Sequence, residues 1–214
     1  MPYAQVIGCL LWPVVISCLD AAFVVGILSQ FIQNPGPAHW EGVKRIITYL
    51  GNMKSLWLTF GGCGNMILDG FCDADWVGQP HRHLISGYLF HMGVGAVTWS
   101  SKKQYIVALS SMEAEYIMQT HTVKEAMYLH VFVQEICGLD KPIMINCDNQ
   151  GAIMLSKDNR FHAQTKHIDI QYHFVQEEVE DGKITLKYIP TDKNPADVIT
   201  KPLTKTKFHQ IVGT

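Results

Sequence analysis

The first sixty residues are dominated by apolar runs of helical length. One run ends at Leu19, a second extends from Ala21 to Ile32, and a third covers about Ala38 to Leu50. The last two are separated by Asn34-Pro35-Gly36-Pro37, a combination of Pro and Gly that is typical of turns and helix starts. This pattern predicts a small helical subdomain over residues 1–60.

After Gly61-Gly62 the pattern changes to short runs of β-type residues that alternate with longer helical stretches. The predicted elements, in order, are strands Met66–Asp73, Gly87–Met92 and Ala96–Ser100, a helix Met112–Ile136, a strand Ile143–Cys147, helices from Asn149 and over Lys166–Glu180, a strand Ile184–Ile189, and a helix from near Pro195. Strands and helices that alternate in this way predict one mixed α/β sheet with flanking helices.

The apolar segment from Val6 to Leu19 supports two interpretations. Its 14 residues suit the apolar region of a signal peptide, which would make residues 1–22 removable. The segment is shorter than the roughly 18 residues that a membrane span needs, so we expect no membrane partner. However, no Lys or Arg precedes Val6, and Asp20 is unfavourable near a cleavage site. A buried helix therefore remains an equal alternative.

Composition is typical of a globular protein. The chain has 214 residues, of which 48% are hydrophobic, and a net charge of -2, so no overall positive field indicates a nucleic-acid partner. Basic residues are instead local: six lysines against two aspartates lie between Lys183 and Lys207, and Lys102-Lys103 forms a second pair. These groups are weak indications of phosphate contacts, and solvated surface lysines are the alternative.

Four acidic residues stand at the ends of different predicted elements. Asp73 ends the first strand, Glu115 lies in the first turns of the long helix, Asp148 follows the fourth strand, and Asp197 opens the last helix. Ligand sites in α/β sheets form at strand ends, so neighbouring first and fourth strands would bring Asp73 and Asp148 together. Converging carboxylates indicate divalent metal ions, because cations neutralise their charge. Four unrelated surface acids are the alternative.

Periodicity leaves two of these assignments open. Asp73 and Asp75 are two residues apart on a strand and point to the same face, so either could be a ligand. Glu113 and Glu115 are two residues apart on a helix, about 200° around its axis, so only one of them can face the site.

Several ordered motifs resemble the C-terminal part of Ty1/copia-type retrotransposon Pol polyproteins. They include C-D-A-D-W-V-G (72–78), W-S-S-K-K-Q (99–104), A-L-S-S-M-E-A-E-Y (108–116), C-D-N-Q-G-A-I (147–153), T-K-H-I-D-I-Q-Y-H-F (165–174) and A-D-V-I-T-K-P-L (196–203). The resemblance implies a reverse-transcriptase tail over 1–60, an RNase H-like domain with a mixed five-stranded sheet over 61–205, and a C-terminal tail over 206–214.

The resemblance also implies a chemistry. Asp73, Glu115, Asp148 and Asp197 match the family's four catalytic, metal-binding acids, which would hold two Mg²⁺ ions and hydrolyse the RNA strand of an RNA–DNA hybrid. A chain with this activity would act inside the cell. No Tyr-x-Asp-Asp sequence occurs in the chain, so we expect no reverse transcription from it alone.

A secreted effector is the alternative function. Arg82-His83-Leu84-Ile85 resembles a degenerate form of the R-x-L-R motif of oomycete effectors, and the apolar start resembles a signal peptide. Such a protein would be secreted, translocated into plant cells, and bind an unknown host protein involved in immunity or cell death. Sequencing of the mature N-terminus would separate the two hypotheses.

Overall fold

The fold is known from a computed structural model, which describes residues 2–55, 67–75, 85–93, 95–104, 111–138, 141–155 and 166–212. Short 3-10 turns lie at Leu19–Ala21 and Thr191–Lys193. The α-helices are α1 (Tyr3–Ile16), α2 (Ala22–Ser29), α3 (Pro37–Asn52), α4 (Ser111–Cys137), α5 (Gln150–Leu155), α6 (Lys166–Glu180), α7 (Asp197–Thr200) and α8 (Lys205–Val212).

The strands form one mixed sheet in the order β3-β2-β1-β4-β5. Their bounds are β1 (Leu68–Asp75), β2 (Ile85–Met92), β3 (Gly95–Lys103), β4 (Ile143–Cys147) and β5 (Ile184–Tyr188). The first three strands pair antiparallel, whereas β4 runs parallel to both β1 and β5. The predicted fold class is therefore confirmed, and so is the predicted pairing of the first and fourth strands.

Both faces of the sheet are covered where β1, β2 and β3 pair, because side chains alternate along each strand. On β2, Phe90 packs in a core with α4, while its neighbour Leu89 belongs to a second core on the opposite face. The first core also contains the apolar residues of β4 and β5. The second core joins the sheet to α1, α2, α3 and α7.

Helix α1 is part of this second core. It buries Tyr3, Ile7, Leu10 and Val14, which recur at helical spacing along one side. The indole Nε1 of Trp99, on β3, donates a hydrogen bond to the Val14 carbonyl oxygen at 2.9 Å. In the uncleaved chain the apolar start is thus a packed helix, and the signal-peptide interpretation stays a prediction.

No helix in the described part of the chain combines the length and apolar character that crossing a membrane requires. Three residues of the R-x-L-R-like segment, at positions 82–84, lie outside the described residues.

A glycine on β2 lets α7 approach the sheet closely. A Cβ atom at Gly87 would lie 2.7 Å from Cγ2 of Thr200 and 2.9 Å from Cδ1 of Ile199. Because Gly87 is paired with Asp73 on β1, this contact places the end of α7 beside Asp73. The packing of one short helix thus determines what surrounds the first predicted site residue.

Candidate metal centre

Asp73 and Asp148 are positioned by the parallel pairing of β1 and β4. Cys72 is directly opposite Cys147 in the register, so the residue that follows each cysteine lies at the same edge of the sheet. The side-chain amide of Asn146 donates a hydrogen bond to the Gly70 carbonyl oxygen at 3.1 Å, which adds a contact between the two strands. Two strand ends therefore present two aspartates together, as the sequence predicted.

Glu115 joins them from the first turns of α4. One carboxylate oxygen from each of Asp73, Glu115 and Asp148 lies within 4.8 Å of the other two. Asp73 is only 2% exposed, while the other two are partly buried. The side chains of Asp75 and Glu113, the two alternatives that periodicity left open, lie outside the described residues.

The crowding of these carboxyl groups makes them hard to ionise. Burial raises the pKa of Glu115 to about 9, and repulsion from Asp73 and Asp148 adds to this effect. Burial also raises the pKa of Asp73 to about 6, although the Lys201 ammonium and a hydrogen bond from Thr200 act in the opposite direction. The cluster therefore favours either protons or a cation.

Asp197, the fourth predicted site residue, is not part of this group of three. Its carboxylate is completely buried and forms ion pairs with two lysines, Lys201 at 2.7 Å and Lys207. Lys201 also reaches Asp73, with 3.5 Å between Nζ and Oδ2. One ammonium group therefore lies between the acidic group and Asp197.

Uncharged side chains orient the carboxylates. The Thr200 hydroxyl donates to Asp73 Oδ2, and the Thr191 hydroxyl donates to Asp148 Oδ2 at 2.8 Å. Asn194 donates to the Cys72 carbonyl oxygen at 2.9 Å and ties the loop before α7 to β1. Sequence reasoning missed these residues and both lysines. For Lys201 a signal was available, since a lysine four residues after an aspartate on a helix faces it.

The residues present fit a divalent cation. All three donors are carboxylates, the ligands that Mg²⁺ and Ca²⁺ prefer, and they come from three separate elements. A cation there would also remove the repulsion that raises the pKa of Glu115. Asp197 lies outside this group of three and is paired with lysines, and its role as a fourth ligand stays a prediction.

A five-stranded mixed sheet with flanking helices defines an RNase H-like fold, and it carries two acids near the ends of β1 and β4 and a third on α4. The chain is homologous to a part of the retrovirus-related Pol polyproteins from Ty1/copia-type transposons. It is 44% identical over 217 residues to the Pol polyprotein from transposon TNT 1-94 of Nicotiana tabacum, which covers 100% of this chain. It is 34% identical to that of transposon RE1 of Arabidopsis thaliana, over 91% of this chain.

The chain spans only 16% and 13% of the length of these two polyproteins. It is also 42% identical over 139 residues to Secreted RxLR effector protein 161 of Plasmopara viticola, covering 64% of this chain and 98% of that protein. No protein-family model matches the chain.

Two solved structures resemble the fold. One is a foamy viral protease-reverse transcriptase in complex with RNA/DNA hybrid. The alignment covers 94% of this chain and 26% of the viral chain, with a TM-score of 0.51 and 12% sequence identity. The other is LC11-RNase H1 in complex with RNA/DNA hybrid. The alignment covers 62% of this chain and 93% of the LC11-RNase H1 chain, with a TM-score of 0.46 and 14% sequence identity.

Proposed function

We propose that this chain is an RNase H-type nuclease that hydrolyses the RNA strand of RNA–DNA hybrids. The observation that carries the proposal is the convergence of Asp73, Glu115 and Asp148 within 4.8 Å. Homology to the Pol polyproteins supports it, and the resemblance of the motifs implies a catalytic role for the same acids. The proposed domain over 61–205 would contain the whole site, with 1–60 as a reverse-transcriptase tail and 206–214 as a C-terminal tail.

In this proposal Asp73, Glu115 and Asp148 hold Mg²⁺, and Asp197 is the fourth ligand of a two-ion site. Bound Mg²⁺ would supply an activated water and would stabilise charge on the leaving oxygen. Asp73 and Asp148 would keep their positions through the hydroxyls of Thr200 and Thr191. Asp197 would have to exchange at least one lysine contact before it could bind an ion.

Selectivity for RNA would come from shape. A hybrid has a wide, shallow minor groove that displays 2′-hydroxyl groups, and proteins read these by contact rather than by base sequence. We therefore expect cleavage without sequence specificity.

The decisive experiment is a cleavage assay on a labelled RNA–DNA hybrid with Mg²⁺. The parent chain should release shortened RNA, and Asp148→Asn should reduce the rate at least about a hundredfold, because it removes a charged ligand. A chelator should abolish cleavage, and a DNA–DNA duplex of the same sequence should stay intact.

Asp181→Asn is the matched control, because Asp181 is exposed in the turn after α6 and pairs only with Lys183 in the described part of the chain. It should cleave like the parent. Absence of cleavage by the parent, or equal cleavage by Asp148→Asn, would refute the proposal.

The effector hypothesis remains a second proposal. It rests on the similarity to one protein, from Plasmopara viticola. However, this similarity does not separate the two hypotheses, since the chain also matches transposon polyproteins over its full length. Locating the tagged chain in infected plant tissue would separate them, and a signal confined to the producing cell would exclude the effector role.

A further inference from the structure

A pocket of about 470 Å³ lies outside the carboxylate site, between the sheet and the middle of α4. Its sheet side includes Tyr88 on β2 and Lys102 on β3, and its helix side includes Met118, His121 and Lys124. It therefore combines an apolar and aromatic wall with cationic groups.

The charges around this pocket are unbalanced. Lys102, Lys103 and Lys124 line it, and Glu125 is the one acidic residue among its lining residues. Glu125 accepts hydrogen bonds from the Thr98 hydroxyl at 3.0 Å and from Tyr88, so its single negative charge offsets only part of the charge of the three lysines. Among the described residues, no carboxylate forms an ion pair with any of the three lysines.

Two of these lysines act electrostatically on His121, which lines the pocket. The pKa of His121 is lowered by burial and by the charges of Lys124 and Lys102, so both ammonium groups act on the same place from opposite walls. Among the described residues that line the pocket, three lysines outweigh one carboxylate, and such an excess of positive charge favours an anion, above all phosphate.

The pocket is joined to the carboxylate site by Gln104. This buried side chain lines the pocket and donates hydrogen bonds to the Ser86 hydroxyl and, at 3.1 Å, to the Ala114 carbonyl oxygen. Ala114 directly precedes Glu115, and Ser86 pairs with Ala74, the residue after Asp73. The wall of the pocket is thus hydrogen-bonded to residues that adjoin two site residues in sequence or in the sheet.

The distance between the carboxylate site and the pocket is short enough for one nucleic-acid strand to contact both. His121 and Lys124 follow Glu115 by six and nine residues on α4, a rise of about 9 to 14 Å along the helix axis. One strand of a duplex carries one phosphate per roughly 3.4 Å of axis, so this rise corresponds to about three to four nucleotides.

We propose that this pocket binds the sugar–phosphate backbone of a nucleic-acid strand about three to four nucleotides from the bond that the carboxylate site cleaves. Lys102 and Lys124 contact the phosphates, and the partly buried ring of Tyr88 faces a sugar. The inference rests on the proposed function, whose substrate it would anchor.

The test is binding of a fluorescent RNA–DNA hybrid to Asp148→Asn protein, followed by anisotropy over a range of salt concentrations. Adding Lys102→Met and Lys124→Met should weaken binding about tenfold at 0.1 M salt and reduce the slope of log K against log salt by about 2, because each lost phosphate contact removes nearly one unit. In protein that retains Asp148, the same pair should raise KM and leave kcat unchanged.

The control pair is Lys44→Met with Lys54→Met. Both lysines are exposed, in or just after α3, and replacing them removes the same total charge as the pocket variant does. An unchanged salt slope in the pocket variant, or an equal loss in the control pair, would overturn the inference while leaving cleavage intact. Normal binding with the expected slope change but without cleavage would refute the nuclease and retain the binding site. A parent chain that binds no hybrid would refute both.

Discussion

Lys201 neutralises part of the negative charge of the carboxylate site. Its ammonium contacts Asp197 and Asp73, which belong to α7 and β1. The two carboxylates are 0% and 3% exposed, so water does little to stabilise their charges. A lysine in this position is a permanent counterion that a divalent cation would have to compete with.

We therefore expect Lys201→Met to lower the stability of the metal-free protein and to strengthen metal binding. Its unfolding free energy should fall by about 2 kcal/mol, because buried carboxylates lose their partner, and Mn²⁺ should bind about tenfold more tightly, because a nearby positive charge is gone. Chemical unfolding in a chelator and calorimetric titration with Mn²⁺ measure the two effects. Lys205→Met, at an exposed position on α8, should change neither. Weaker Mn²⁺ binding by Lys201→Met would contradict this role.

Glu115 makes the stability of the metal-free protein depend on pH. Its pKa is about 9 in the folded chain, whereas an unfolded chain would release the same proton above roughly pH 4.5. Between these values the folded state binds more protons than the unfolded state, so the unfolding free energy falls as pH rises. The stabilising effect is complete below pH 4.5 and is lost by about pH 9.

Glu115→Gln should flatten this dependence, because a neutral amide does not titrate. Urea unfolding at pH 5, 7 and 9 with a chelator would show a smaller decrease for this variant than for the parent. Glu177→Gln, at an exposed position on α6, should retain the parental decrease. Equal decreases in all three proteins would show that Glu115 is not the responsible group.

At the scale of elements, the approach of α7 to β2 determines the surroundings of Asp73. We expect Gly87→Ala to displace α7, since the added methyl group would lie 2.7 Å from Thr200 and 2.9 Å from Ile199. The unfolding free energy should fall by about 1–3 kcal/mol. Gly8→Ala in α1 is the control with the opposite sign, because that position is open and alanine favours a helix. Thermal unfolding measures the stability of both variants. A Gly87→Ala protein as stable as the parent would contradict the close packing of α7 on β2.

Elements with a strong local pattern were predictable. The bounds of β4 and α6 coincide with the predicted ranges, and α4 differs by one residue at each end. The meeting of Asp73 with Asp148 was also predictable, because both lie at the carboxyl ends of strands. Helix α8 begins at Lys205, one residue before the predicted C-terminal tail, and its Phe208, Ile211 and Val212 pack on the second core at helical spacing.

The pairing of Asp197 with two lysines was not predictable in the same way. Lys207 comes from α8, and its approach depends on how α7 and α8 pack on the sheet. No local pattern encodes such a contact, because it depends on the space that Gly87 leaves free. The sequence thus indicates the candidate acids, while tertiary packing decides which cationic side chains each of them contacts.

At the scale of the whole molecule, the N-terminal helices cover one face of the sheet. Removal of residues 1–22 should therefore lower the unfolding temperature and promote aggregation, because Trp99, Leu89 and Ala96 would lose part of their cover. This bears on the effector hypothesis, in which these residues would be cleaved off.

A pair of isoleucines on α1 tests the same point without truncation. Ile7 is 0% exposed and Ile16 is 54% exposed. Ile7→Ala should reduce the unfolding free energy by about 2–4 kcal/mol, whereas Ile16→Ala should have little effect. Chemical unfolding measures both. Similar values for the two variants would mean that α1 does not pack on the sheet in solution.

The two buried cysteines at the carboxylate site provide a way to observe it. Cys72 and Cys147 are in contact, each directly precedes a site aspartate, and their hydrogen bond together with burial raises the pKa of the Cys72 thiol. A thiol in this state reacts slowly with alkylating reagents. Cys9 is exposed and should react at once. The delay between the two reactions would report how often β1 and β4 separate, and hence how long the site remains assembled.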